Sequence, residues 1–204
     1  GSGKTSMMNM IKQEVEAKVY PIWFNTWQYS QFNMGNDLCI SFLENLITKL
    51  HSKAENRTSK ILETSLKILK IGAKTAISTV GLDGGAIVDV FNKESEDIAK
   101  AVSDLKDAFQ DSVNDKLKDS KKDRVVIFVD DLDRLNPAKA VELLEVLKVF
   151  LDCENCVFIL AVDYSVVTAG VKQKFGNLVD EDKGKSFFDK IIQLPFKMPV
   201  AQYD

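Results

Sequence analysis

Residues 125–134 read VVIFVDDLDR, in which five apolar residues are followed directly by two adjacent carboxylates, Asp130 and Asp131. A short, unbroken apolar run is typical of a strand that is buried on both faces, as in the parallel sheet of an α/β protein. The carboxyl end of such a strand is where α/β folds place their ligands. Because two neighbouring carboxylates repel each other unless a cation is shared between them, the stretch predicts a Mg²⁺ site and a water that the ion helps to activate.

The first six residues, GSGKTS, match the second half of the phosphate-binding loop G-x-x-x-x-G-K-[ST]. Glycines in such a loop allow backbone N–H groups to face a polyanion, and the helix that follows adds its positive end. In this interpretation Lys4 contacts the β- and γ-phosphates, and the Thr5 hydroxyl contacts Mg²⁺. The alternative is a Gly-Ser cloning remnant, but the apolar-periodic helix after Thr5 and the later acidic strand favour a P-loop NTPase. The candidate nucleotide-binding residues are Gly1, Ser2, Gly3, Lys4, Thr5 and Ser6.

The sequence contains only part of this motif, since its first glycine and the strand that normally precedes it would lie before residue 1. A sheet without that strand has unpaired edges at its centre. We therefore expect residues 1–204 to be an internal piece of a longer chain, whose other domains are partners of this one.

Composition argues against a nucleic-acid-binding surface and against a membrane-spanning protein. The 27 basic and 30 acidic residues give a net charge of −3. The arginines are Arg57, Arg124 and Arg134, so few positions can serve as an arginine finger. No apolar run approaches the roughly 20 residues that cross a bilayer.

The cysteines, Cys39, Cys153 and Cys156, indicate a reducing compartment, which fits a cytoplasmic protein. Cys153 and Cys156 form a single C-x-x-C pair, far in sequence from the single histidine, His51. Buried or incidental thiols are favoured over a zinc site or a redox centre, because the sequence contains no second pair.

The remaining pattern predicts helices and strands that alternate, and hence an α/β fold with a parallel sheet. Helices are predicted at 5–18, 38–50, 137–151, 164–175 and 185–191, and strands at 19–25, 125–129, 157–162 and 192–199. Pro21 favours an edge position for the first strand, which leads into an aromatic turn at 26–29. Trp23 and Trp27 could stack on a base, although packing over the end of the sheet is favoured. Asn136 and Pro137 supply an N-cap and a first helical residue.

Residues 57–120 are interpreted as a helical insertion between the phosphate-binding loop (Walker A) and the acidic strand (Walker B). Residues 61–76 are apolar on one side and carry lysines on another, which favours a solvated lysine face over a membrane-surface helix. Apolar residues at helical spacing between Ile98 and Leu117 predict a long amphipathic helix, which packs either on the sheet or on a partner.

In this order, the pieces resemble the KAP family of P-loop NTPases. The matching blocks are GSGKTS at 1–6, WFNTW at 23–27, VDDLDR at 129–134, FILAVD at 158–163 and KIIQLPF at 190–196. The resemblance implies one ATP-binding α/β domain over residues 1–204, of the additional-strand class, with the acidic strand between the P-loop strand and its neighbour. It also implies a prokaryotic protein that is cytoplasmic or associated with the membrane, with phage exclusion among the roles of the family.

Many members of this family carry transmembrane helices between the two nucleotide motifs. Here the longest uncharged stretch of that interval, 75–82, is too short to span a bilayer. We therefore expect no transmembrane helix, while a peripheral position at the membrane stays open.

The leading hypothesis is Mg²⁺-dependent hydrolysis of ATP. Lys4 and the loop amides hold the phosphates, Thr5 and Asp130 hold Mg²⁺, and the predicted catalytic residues are Lys4, Asp131 and Asp163. Asp131 orients or deprotonates the attacking water. Asp163, at the tip of the neighbouring strand, either senses the γ-phosphate, as its place in the family's fold suggests, or caps the helix at 164–175.

Arg134 and the domain as a whole each have an alternative role. Asp133 and Arg134 form a local ion pair, or Arg134 reaches the nucleotide of a neighbouring subunit in a homo-oligomer. The alternative function is a nucleotide-gated switch or scaffold with little or no hydrolysis, although a pure switch does not need the second acid, Asp131. Nucleic-acid processing has little support, and no residue distinguishes ATP from GTP.

Overall fold

The computed structural model describes residues 3–30, 38–50, 87–175 and 187–198. Within these residues the helices are, in chain order, α1 (Lys4–Val15), α2 (Thr26–Ser30), α3 (Leu38–Leu50), α4 (Ile87–Ser120), α5 (Pro137–Lys148) and α6 (Tyr164–Phe175). The strands are β1 (Val19–Asn25), β2 (Arg124–Asp130) and β3 (Cys156–Leu160). A 3-10 turn (Leu132–Arg134) follows β2, and residues 187–191 form a further helical turn.

The described strands form a parallel sheet in the order β1-β2-β3. The acidic strand β2 is central in it, and every residue from Val125 to Asp130 is buried. Pro21 lies in β1 at one edge of this sheet, where the missing N–H group interrupts no pairing between two neighbours. The register places Asn25 beside Asp130, so β1 and β2 end together. The predicted parallel sheet and the buried acidic strand are confirmed, and among the described strands Pro21 lies in an edge strand, as predicted.

The two faces of β2 are covered by different helices. Val125, Ile127 and Val129 lie in a large cluster with residues of α3, α4, α5 and α6. Val126 and Phe128 lie on the opposite face, in a smaller cluster with a residue of α1. The alternation follows from the two-residue period of a strand. Since neither face meets water between Val125 and Val129, these five residues can all be apolar.

Four predicted elements have different bounds or type, and the first of them is the helix predicted at 5–18, which ends at Val15. The aromatic stretch after β1 is the short helix α2 rather than a turn. This helix begins at Thr26, directly after the strand. The helix predicted to reach residue 151 ends at Lys148 and is followed by turns. The strand predicted to end at residue 162 ends at Leu160. The predicted helix at 164–175 and the cap and first residue of α5 are confirmed.

The strand predicted at 192–199 is wrong for residues 192–198, which form bends and irregular chain. A strand needs a neighbour, and this segment pairs with none of the described strands. Pro195 also removes one backbone donor from the segment. As a result Leu194 and Phe196 are 89% and 68% exposed.

The predicted long amphipathic helix is confirmed as α4, which begins earlier than expected, at Ile87. Leu105, Phe109 and Val113 bury its apolar side in the large cluster. Residues 57–86, with the lysine-rich segment, and the loop predicted at 176–184 lie outside the described residues. The insertion as a unit, the domain limits and the additional-strand class therefore stay predictions. Among the described residues, no helix combines the length and apolar character needed to cross a membrane.

Candidate functional site

The N-terminus of α1 lies beside the carboxyl end of β2. Gly3 is the N-cap of α1 and has a φ of 74°, a left-handed conformation that glycine adopts without strain. The first turn of α1 carries no acidic residue, so no carboxylate of the helix itself offsets its positive end, and such an end suits an anion. Gly3, Lys4, Thr5 and Ser6 of the predicted loop lie here, whereas Gly1 and Ser2 lie outside the described residues.

Asp130 ends β2 and is only 2% exposed. Its Oδ1 accepts hydrogen bonds from the Thr5 hydroxyl at 3.1 Å and from the Asp131 N–H at 2.9 Å. Its Oδ2 is buried and has no hydrogen-bond partner among the described residues. A buried carboxylate oxygen without a partner is costly, and a cation would offset that cost.

Thr5 and Asp130 fit a Mg²⁺ ion by their chemistry. Magnesium is bound through oxygen atoms, commonly by one or two carboxylates together with substrate phosphates and waters rather than by a full set of protein ligands. Accordingly, no group of three or more His, Cys, Asp or Glu residues that could hold a metal occurs in the part of the chain that the structure describes. The two predicted metal ligands are brought together although 125 positions separate them.

Lys4 is bound by Asp133, a residue of the 3-10 turn. The Lys4 Nζ atom donates to Asp133 Oδ2 at 2.7 Å, and the side chains are 19% and 30% exposed. The ammonium group that is predicted to contact phosphate therefore has a protein carboxylate as its partner in this structure.

Asp131 lies beside Asp130 with a φ of 61°, a left-handed conformation that is uncommon for a residue with a side chain. Its Oδ1 forms an ion pair with Arg134 Nε at 2.8 Å, and its Oδ2 accepts from Asn25 Nδ2 at 2.9 Å. The predicted local pair of Asp133 and Arg134 is not formed, because the two residues take separate partners. Adjacent residues of a helical turn point in different directions and do not face each other.

Asn25 and Thr26 are site residues to which the sequence had assigned no role. The Asn25 Oδ1 accepts from the N–H groups of Trp27 at 3.0 Å and Gln28 at 3.3 Å, which caps α2. The Thr26 hydroxyl, fully buried, donates to the Asp130 carbonyl at 2.9 Å. The available signal was the pair of polar residues at the carboxyl end of a predicted strand, since parallel strands end at the same edge of a sheet.

Asp163 caps α6. Its Oδ1 accepts from the Ser165 N–H at 2.9 Å and from the Ser165 hydroxyl at 2.7 Å. These hydrogen bonds, with a smaller contribution from the charge of Lys4, lower the pKa of the Asp163 carboxyl below its ordinary value. The predicted cap is confirmed, and the charge of Lys4 acts on the same carboxylate.

The two tryptophans have different surroundings. Trp23 stacks on Phe128 with ring centroids 5.3 Å apart and an interplanar angle of 18°, so the packing interpretation is confirmed for it. Trp27 is 37% exposed. The central carbon of the Arg134 guanidinium lies over the Trp27 ring, 5.4 Å from the ring centroid. Trp27 therefore belongs to the surroundings of Asp131 rather than to the core.

The cysteines are free thiols, with Cys39 and Cys153 buried. Burial raises the pKa of the Cys39 thiol to about 12 and that of the Cys153 thiol to about 11, and it also raises the pKa of Cys156. The three groups are therefore protonated at neutral pH, which fits the interpretation of Cys153 and Cys156 as buried or incidental thiols.

Comparison with known proteins identifies the family of the chain. The family described as KAP family P-loop domain matches residues 1–203. A curated relative, the Phage T7 exclusion protein of Escherichia coli (strain K12), is 33% identical over 76 residues, which are 37% of this chain and 10% of that protein. The match thus spans about a tenth of the length of that relative, and no solved structure matches the chain. Because the family match extends over nearly every residue, the chain belongs to the KAP family of P-loop domains.

Proposed function

We propose that this domain binds Mg²⁺-ATP and hydrolyses it, and that this cycle drives or gates a conformational change. Membership of a P-loop family supports nucleotide binding. The observation that carries the proposal is the contact between Thr5 and Asp130. It brings a hydroxyl group at the positive end of α1 next to a buried carboxylate whose second oxygen lacks a partner among the described residues.

Each site residue has a role in this proposal. Lys4 and the N–H groups at the start of α1 bind the β- and γ-phosphates, and Thr5 and Asp130 hold the metal ion. When bound, Mg²⁺ would neutralise the negative charge of the phosphates. Asp131 orients the attacking water or accepts its proton, with its position fixed by Asn25 and Arg134.

Asp163 is proposed to sense the γ-phosphate. Its carboxylate caps α6 and is influenced by the charge of Lys4, so a phosphate that pairs with Lys4 changes the electrostatic surroundings of the cap. A cap that weakens or strengthens in this way would pass the presence of the γ-phosphate to α6, which packs against α5.

The test is an assay of Mg²⁺-ATP hydrolysis on the protein with its complete natural sequence. Asp131→Asn should lower turnover by about 10²-fold or more, because a positioned general base contributes that much, while the affinity for ATP stays close to that of the unmodified protein. Lys4→Ala should damage both binding and turnover. Equal losses of affinity in the two variants would contradict the separate roles of Lys4 and Asp131.

A nucleotide-gated switch or scaffold with little hydrolysis is the second candidate. It is favoured by the observation that Lys4 and Asp131 are both paired within the chain, to Asp133 and Arg134. A domain of this kind would exchange these partners on binding ATP and would then hold the new state. Nucleotide that stays bound for many minutes without turnover in the unmodified protein would identify the switch.

The biological role that we propose is defence against phage, on the basis of the partial match to the Phage T7 exclusion protein. Further domains of the protein, a second copy of the chain and a membrane surface are the proposed partners. Plaque counts on bacteria that carry either the unmodified protein or the Lys4→Ala variant test this role. Protection that does not depend on Lys4 would separate defence from nucleotide binding.

A further inference from the structure

The carboxylate of Asp131 is held at both oxygens by residues of two different elements. Arg134, from the 3-10 turn, binds Oδ1 at 2.8 Å, and Asn25, at the end of β1, binds Oδ2 at 2.9 Å. Only 11% of the Asp131 side chain is exposed. The residue also has a positive φ of 61°, which costs of the order of 1 kcal/mol and persists only where the surroundings fix it.

Both holding residues are fixed in turn by α2. The carbonyl oxygen of the Asn25 side chain accepts from the N–H groups of Trp27 and Gln28, which determines that the amide NH₂ faces Asp131. The Arg134 guanidinium lies over the Trp27 ring at 5.4 Å. A closed ring of contacts therefore runs through Asn25, Asp131, Arg134 and Trp27.

Helix capping by itself does not require asparagine at position 25. Serine, aspartate and asparagine are about equally good N-cap residues, because the cap needs only an oxygen acceptor. The amide differs from the others by its NH₂ group, and this is the group that binds Asp131. The side-chain NH₂ group of Asn25 thus has a role that is separate from capping α2.

We propose that Asn25 and Arg134 are positioning residues for the hydrolytic reaction, which hold the carboxylate of Asp131 in the orientation that acts on water. The inference rests on the proposed function, because the proposed function assigns Asp131 its catalytic role. Neither residue is required to touch the nucleotide. Their removal should therefore lower kcat and leave nucleotide affinity almost unchanged.

The first test replaces Asn25 by serine, which keeps the cap and removes the amide donor. Asn25→Ser should lower kcat for Mg²⁺-ATP by about tenfold or more, since a small misplacement of a catalytic group costs up to about 10²-fold. The KM and the affinity for a non-hydrolysable ATP analogue should stay within about twofold. The control is Asn136→Ser, because Asn136 caps α5 through the Ala138 N–H at 3.0 Å. It undergoes the same chemical change and should keep full turnover.

Arg134→Gln provides a second, independent variant. Arg134 is 55% exposed, so its replacement does not disturb the core even if Asn25→Ser should fail to fold. It should also lower kcat without loss of affinity, and Arg134→Lys should not restore the rate, because lysine cannot donate from a planar guanidinium.

The outcomes separate this inference from the proposed function. Normal kcat in both Asn25→Ser and Arg134→Gln, in a protein that hydrolyses ATP, would overturn the inference and leave the function intact. A loss of affinity that equals the loss of kcat would also overturn it, because the residues would then act on binding. Absence of turnover in the unmodified protein would overturn both.

Discussion

In the proposed function Lys4 is the charge on which phosphate binding depends most directly, and in the structure it is paired with Asp133. A part-exposed ion pair of this kind contributes roughly 0–1 kcal/mol, which phosphate must offset when it displaces the carboxylate. Asp133→Asn should therefore raise the affinity for ATP by up to about fivefold, as measured with a fluorescent ATP analogue. The control is Asp123→Asn, which removes the same charge from an exposed position at the opposite end of β2. An equal gain in both variants would mean that net charge, and not the ion pair, limits binding.

The thiol of Cys39 makes stability depend on alkaline pH. Burial raises its pKa from 9.0 to about 12, so the folded state keeps a proton that the unfolded chain loses above pH 9. The stability from this group is complete below pH 9 and falls by up to about 1.4 kcal/mol per pH unit as pH rises toward 12. The free energy of unfolding of Cys39→Ala, measured with urea, should fall less steeply between pH 9 and 10 than that of the unmodified protein. Burial lowers the pKa of Lys49, so the contribution of this residue to the free energy of unfolding rises with pH. Both proteins contain Lys49 and share this contribution.

The other cysteines, Cys153 and Cys156, contribute in the same direction as Cys39, so the slope is reduced in the variant rather than abolished. If the free energy of unfolding fell equally steeply with pH in the two proteins, the Cys39 thiol would have the same pKa in the folded and unfolded states. The predicted linkage would then be wrong.

At the scale of elements, α5 and α6 approach each other closely enough to require glycine at their contact. A Cβ atom at Gly170 would lie 2.1 Å from the Pro137 carbonyl oxygen and 2.6 Å from Val141 Cγ2. In a helix without this contact, glycine to alanine would stabilise by about 0.5–1 kcal/mol. Gly170→Ala should instead destabilise the protein by about 2 kcal/mol or more, measured by thermal or urea unfolding, because backbone atoms must move apart. A stabilised variant would show that the two helices are farther apart in solution.

The elements also show which parts of the fold could be predicted from the sequence. The start of α5 at Asn136 and Pro137 was predicted correctly, because a cap and a proline act on their own backbone. The strand predicted at 192–199 was wrong, because a strand forms only where a neighbour offers its backbone groups. Local chemistry is visible in one stretch of sequence, whereas pairing depends on the position of a second stretch.

The same distinction applies to the site. The candidate phosphate-binding residues and the two aspartates could be proposed from the sequence because each set is a contiguous motif, and the contact of Thr5 with Asp130 agrees with their proposed shared chemistry. The contact of Asn25 with Asp131 was not predicted, since it depends on the register in which β1 lies beside β2. The partners of Asp133 and Arg134 depend likewise on how the 3-10 turn faces α1 and α2.

At the scale of the whole molecule, the proposed ligand joins α1 to the end of β2, two parts of the chain that are 125 positions apart. A ligand that binds only the folded state stabilises it by about 2.7 kcal/mol at a concentration of 100 times its Kd. For a domain of this size, that corresponds to a rise in Tm of roughly 5–10 °C, measured by thermal unfolding with Mg²⁺-ATP. The rise should become smaller when EDTA removes the metal.

The metal-dependent part of this shift tests Thr5 and Asp130 without any measurement of hydrolysis. Thr5→Ala should retain the shift produced by ATP alone and lose most of the additional shift produced by Mg²⁺, because it removes one proposed oxygen ligand of the ion. Asp131→Asn, which keeps both ligands, should retain the full shift. If EDTA left the shift unchanged in the unmodified protein, Thr5 and Asp130 would not hold a cation. The Oδ2 of Asp130, which has no partner among the described residues, would then need another explanation, such as a bound water.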